Sequence, residues 1–169
     1  MSLHVDLLKQ ARLLATREPR RPLQASLRRS VSAGYYALFH LFVFKATGRF
    51  IKGADRTALR HCLARAFAHA EMKEVSRQFA LNNVSAKIQP GLNGLALPSE
   101  LRRLATTFVD LQQARHEADY DPARKFTRSE VLDLVGRVEQ AFKDWSTIKN
   151  GLQADVFLTG LLAQRSMKR

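Results

Sequence analysis

The stretch that leaves this chain the fewest folds begins just after Pro22 and runs to about Thr47, "LQASLRRSVSAGYYALFHLFVFKAT". It contains no proline, and its apolar residues recur at helical spacing, so it reads as one long helix. Val31, Tyr35, Leu38, Phe39 and Phe42 form one stripe, while Leu41, Val43 and Phe44 point away from it. A helix apolar around most of its circumference has to be covered on more than one side, as it is in a helical bundle. A single bundle core covers only part of it, so either the C-terminal helix or another subunit is expected over the rest.

The same periodicity recurs along the chain with no alternating strand pattern, which makes the class all-α. A first helix is expected over about Leu3 to Ala15, ended by "EPRRP". In the long second helix, Gly48 is expected as the left-handed residue past the end. A third starts at Asp55 as N-cap and runs to "NN" at 82–83, with Leu59, Cys62, Leu63, Ala66 and Ala70 toward the core. A loop of about fifteen residues, "VSAKIQPGLNGLALP", then separates it from a fourth helix over Ser99 to about Tyr120. The fifth opens on a capping box, Thr127 with Glu130, and carries Val131, Leu134, Val135, Val138, Phe142, Trp145 and Ile148 on one stripe. A short last helix, about Asp155 to Gln164, precedes a basic tail.

A length of 169 residues without a composition break fits a single domain, residues 1–169, with its core over about 3–148 and the C-terminal helix and tail at 149–169. One cysteine, Cys62, excludes an intramolecular disulfide and suits a reducing compartment. The N-terminus lacks an uninterrupted apolar core, and the longest apolar run, "ALFHLFVF", is too short for a bilayer. A soluble, cytoplasmic protein with no membrane association is expected.

Charge is the strongest compositional signal. The 28 basic and 15 acidic side chains give +13, and residues 1–70 alone, with thirteen basic against three acidic, carry +10. Such a field attracts polyanions, so RNA or an acidic protein is an expected partner, set against the plain alternative of a solvated basic surface. Arg28, Arg29, Lys52, Arg56, Arg60 and Arg65 are the candidate nucleic-acid contacts.

Two polar clusters interrupt the helical stripes. In "QARHEADYDP", residues 113–122, Arg115 and Asp119 fall in phase with Leu101, Leu104, Phe108 and Leu111, whereas His116 lies on the rim and Glu117 points to solvent. An inward Arg and Asp one turn apart are expected to pair, and removing Arg115 is expected to cost roughly 3 to 5 kcal/mol if Asp119 is left buried and charged. On the second helix, Arg29, Tyr36 and His40 share a face. These lines are expected to form a polar pocket of Tyr36, His40, Arg115, Asp119 and Tyr120. His61 and His69 are two turns apart, and no thiolate cluster or helical His pair exists, so no metal site is expected. "GLNG" at 91–94 lacks the rest of a phosphate loop, there is no serine elbow, and no cofactor is expected.

"SLRRSVSAGYYALFHLFVF", followed some seventy residues later by "LQQARHEADYDPARKFTRSEVLDLVGRVEQAFKDW", resembles the HEPN superfamily over about residues 5–148. The resemblance implies an up-and-down bundle of four to five core helices, usually dimeric, and makes a second subunit the preferred cover for the second helix. It also implies RNA or nucleotide biology. Many members are ribonucleases of toxin–antitoxin, defence or stress systems, and others accompany minimal nucleotidyltransferases, so an antitoxin or a nucleotidyltransferase is an implied protein partner. Nuclease members place a His after four to six intervening residues beyond an Arg that matches Arg115. Tyr120, Asp121 and Pro122 stand there instead, and none is a residue type that can do the work of an acid–base His. "RTALRH", Arg56 to His61, matches formally but lies in the wrong helix.

Three readings follow. The first and favoured one is an RNA- or polyanion-binding module. The second is a metal-independent ribonuclease with an altered site, drawing on Arg115, Asp119 or Asp121 with His116 or His40. The third is a non-catalytic subunit for an acidic partner such as a nucleotidyltransferase.

Overall fold

Helix is the regular structure throughout the described residues of the computed structural model, 2–167, with side chains described for 2–166. Seven α-helices follow one another: α1 (Leu3–Thr16), α2 (Gln24–Phe50), α3 (Thr57–Ala64), α4 (His69–Ala80), α5 (Ser99–Tyr120), α6 (Arg128–Ile148) and α7 (Leu152–Met167). A 3-10 turn, Gln89–Leu92, lies between α4 and α5. The all-α class is therefore as the periodicity predicts. No helix among the described residues is long and apolar enough to cross a membrane. Lys168 and Arg169 of the basic tail lie outside the described residues.

Two compact units are formed, one from the chain up to His40 with Thr107–Lys143, the other from Leu41–Thr106 with the chain from Asp144 onward. In the first unit, Leu27, Val31, Tyr35, Phe108, Leu111, Val135 and Val138 are fully or almost fully buried. Tyr35 and Phe108 pack ring against ring at 5.5 Å. Ser30 donates to the Ala11 carbonyl at 2.7 Å, tying α2 to α1. α6 begins with the predicted capping box: the Glu130 N–H reaches Thr127 Oγ1 at 3.2 Å, and Glu130 Oε2 accepts from the Thr127 N–H at 3.5 Å.

In the second unit, Phe157 of α7 meets Phe42 at 5.3 Å and Phe79 at 5.0 Å, both edge to face. Gly160 lets α7 approach closely, since a Cβ there would stand 3.1 Å from Val75 and 3.2 Å from Ile88. Arg103 makes a two-pronged pair with the buried Asp144, at 2.8 and 2.7 Å.

Several boundaries differ from expectation. α2 continues to Phe50 with Gly48 inside it, and the first glycine of positive φ after it is Gly53 (φ 99°). The expected third helix is two, α3 and α4, and Asp55 caps neither. Leu59, Cys62, Ala66 and Ala70 are exposed, and the core takes Phe67, Met72, Val75 and Phe79. The reason is size. Alanine and cysteine bury little area, while Phe67 and Met72 would lie about 140° apart on one continuous helix, so the break at 65–68 lets both go inside. The loop after α4 is anchored by buried Ile88 and Leu92. The last helix is not short: α7 has 16 residues. Leu41 and Val43 are buried within the single chain, leaving Phe44 exposed, so the cover sought for α2 is largely intramolecular. The dimer expectation then rests on the family resemblance.

Candidate functional site

The polar line of α2 and the last turns of α5 meet in the first unit around an open cleft of about 490 Å3. Tyr36, Arg115, Asp119 and Tyr120 line it together with Arg29 and Ser32. Arg115 is the organising group. Its Nε stands 2.6 Å from Asp119 Oδ2, an ion pair off the line of a straight hydrogen bond, with side chains only 19% and 22% exposed. The guanidinium carbon lies 5.8, 5.5 and 5.8 Å from the ring centroids of Tyr35, Tyr36 and Tyr120. Burial opposes the charge, but Tyr36, Asp119 and Tyr120 outweigh it and hold Arg115 above its usual range. Burial also pushes the Tyr35 phenol well up, keeping it protonated beneath the cleft.

The second oxygen of Asp119 accepts from Ser32 Oγ at 2.7 Å. Sequence reasoning missed Ser32, although it sits one turn before Tyr36 on the same face. Because Asp119 keeps this donor and some solvent, loss of Arg115 leaves it neither fully buried nor unpartnered. The expected 3 to 5 kcal/mol is accordingly lowered to about 1–2 kcal/mol.

The other candidates divide into groups that hold the fold and groups that are open. Arg28 lines the cleft, but its guanidinium is engaged by carbonyls at the end of α5 and beyond: Ala118 and Asp121 at 2.8 Å and Arg124 at 2.5 Å. It is a side-chain cap for α5. Asp121 Oδ1 accepts from the N–H groups of Ala123 and Arg124, at 2.9 and 3.3 Å, closing the turn at Pro122. Arg60 donates to the Ile51 carbonyl at 3.0 Å and to that of Gly53. Arg29, by contrast, is exposed at the meeting of this cleft with a second one lined by Leu7, Leu14 and Ala33. It makes no ion pair among the described residues. Lys52, Arg56 and Arg65 are exposed in the second unit.

His40 stands one turn beyond Tyr36, rings 6.3 Å apart, half-buried and outside the cleft lining. His116 is exposed and packs on Tyr120 at 5.1 Å. Glu117 is not simply in solvent as expected. It accepts from Gln113 and from Arg124, each at 3.1 Å, and these bonds hold its carboxyl below the usual range. Among the described residues no three His, Cys, Asp or Glu side chains gather to hold a metal ion.

Comparison of the chain with protein-family models, curated proteins and solved structures gave no match.

Proposed function

We propose that the chain is an RNA- or polyanion-binding module on a HEPN-like helical scaffold, with the Arg115 cleft as its phosphate and base site. One observation supports this above the rest: Arg29, with no carboxylate partner, shares a cleft wall with an Arg115 held rigid by Asp119 and three tyrosine rings. A backbone phosphate placed there meets Arg29 and the open side of Arg115, and the exposed Tyr120 ring offers a stacking surface for an unpaired base. By the resemblance, the setting is a toxin–antitoxin, defence or stress system. A metal-independent ribonuclease is the second reading, favoured by the His116 imidazole lying one ring from the cleft on Tyr120.

Fluorescence anisotropy of a labelled single-stranded RNA over a range of salt separates them. A binding module gives affinity that falls steeply with salt and leaves the RNA intact. Metal-independent cleavage that disappears in Arg115→Ala favours the ribonuclease. An affinity indifferent to salt removes the phosphate contacts on which the binding reading depends.

A further inference from the structure

The second unit carries more of the excess charge than the first: fifteen basic against six acidic residues give +9, against +4 from thirteen and nine. Part of it converges on a cup of about 230 Å3 where the end of α2 meets the end of α6, walled by Phe44, Lys45, Lys52, Trp145, Lys149 and Asn150. Arg49, on the same wall, is already matched, with Nε 2.9 Å from Asp155 Oδ1 and a bond to the Lys149 carbonyl. The three lysines are not. None forms an ion pair among the described residues.

The cost of this arrangement is visible at Lys45. Burial, and then the like charge of Lys149, hold its ammonium below the usual lysine range. Its Nζ lies 5.4 Å from the ring centroid of Phe44, a residue 54% exposed. Trp145, only 3% exposed, has an indole N–H without an acceptor among the described residues. Three converging cations without a counter-charge call for an anion of more than one charge, which a single carboxylate does not supply. The volume is below the roughly 300–1,000 Å3 that encloses a whole organic ligand, so the cup has room for the charged group and not for its bearer.

We infer that this cup is a phosphate site, in which Lys45, Lys52 and Lys149 hold one phosphate or diphosphate group, free or carried on a larger molecule. The group's oxygens accept charge-assisted hydrogen bonds from the ammonium donors, and its charge relieves the repulsion between them. These residues all belong to the second unit, so the inference stands apart from the reading of the Arg115 cleft.

The chain's single tryptophan is Trp145, so its fluorescence reports on this cup. Titration of the full chain with inorganic pyrophosphate is expected to give a saturable change. Lys45→Met and Lys149→Met, which keep the apolar stems, are each expected to weaken it by about tenfold, the weight of one charge-assisted contact. Gly48 lies on the wall where an added Cβ meets nothing within 4 Å, so Gly48→Leu is expected to block the cup without disturbing α2. Arg115→Ala is expected to leave the titration unchanged. The bearer is identified by competition: displacement by a short RNA points to nucleic acid, displacement by adenosine diphosphate alone to a small phosphate ester, and by neither to the free anion. No saturable signal in the wild type with no heat by calorimetry in Arg115→Ala, or full binding by a Lys45→Met/Lys149→Met double variant, overturns the site.

Discussion

Ser32 donates its hydroxyl to Asp119 Oδ1 at 2.7 Å, across from the oxygen that faces Arg115. The carboxylate is thereby fixed from two helices, and the guanidinium with it. Ser32→Ala removes one of these anchors and is expected to lower stability by about 1 kcal/mol, the net worth of such a bond. RNA affinity is expected to fall a few-fold as Arg115 loosens. Chemical denaturation and anisotropy measure the two effects, and an unchanged affinity would show that Arg115 does not depend on Ser32 for its position.

Adjacent arginines on α2 are expected to behave oppositely. Arg28 holds the carbonyls past α5, so Arg28→Ala is expected to cost about 2–3 kcal/mol, as charged hydrogen bonds at a helix end are lost. Arg29→Ala touches no such contact and is expected to melt within about 0.5 kcal/mol of the wild type. Thermal melts of the two variants suffice to test this.

Acid should unpick the end of α5 through Glu117. Its carboxyl is held below the ordinary glutamate range by bonds from Gln113 and Arg124, so the folded state releases that proton more readily than the unfolded chain. The contribution is complete above the unfolded value and is lost as pH falls through the lower folded one. In Glu117→Gln the acid limb of the melting profile is expected to be flatter, with stability lower at neutral pH. Melting temperatures of both proteins from pH 7 down to about 3 provide the comparison.

The lysine cup should trade stability for binding. Burial and Lys149 disfavour the charged Lys45, so its protonated form weakens the fold, and the penalty fades as pH rises through the lowered folded value. Lys45→Met is therefore expected to melt no lower than the wild type at neutral pH while losing pyrophosphate affinity. A clear drop in melting temperature would mark Lys45 as a structural residue.

What was legible in the sequence follows the size of the side chains that carry each pattern. The stripe of α6 and its capping box are built from large apolar residues and a specific Thr–Glu pair, and both stand where the spacing puts them. Arg115 and Asp119 were legible because they interrupt such a stripe in phase. The region of α3 and α4 was misread because Ala66, Cys62 and Ala70 satisfy a helical pattern while burying little, so Phe67 decided the packing. Ser32 was overlooked because a small hydroxyl on a helix is uninformative until its acceptor, 87 residues away, is known. The split between Arg28 and Arg29 is also invisible in sequence. Adjacent positions differ by about 100° around the helix, and only the turn after α5 determines which of them meets carbonyls.

The most direct test of the cleft as a phosphate site is the salt dependence of RNA binding in Arg29→Ala beside the wild type, at equal melting temperature. On a plot of log affinity against log salt, loss of one phosphate contact to single-stranded RNA is expected to make the slope shallower by about 0.7. Affinity at low salt is expected to drop with it. An unchanged slope and affinity in Arg29→Ala would contradict the assignment and place the RNA, if it binds at all, somewhere other than this cleft.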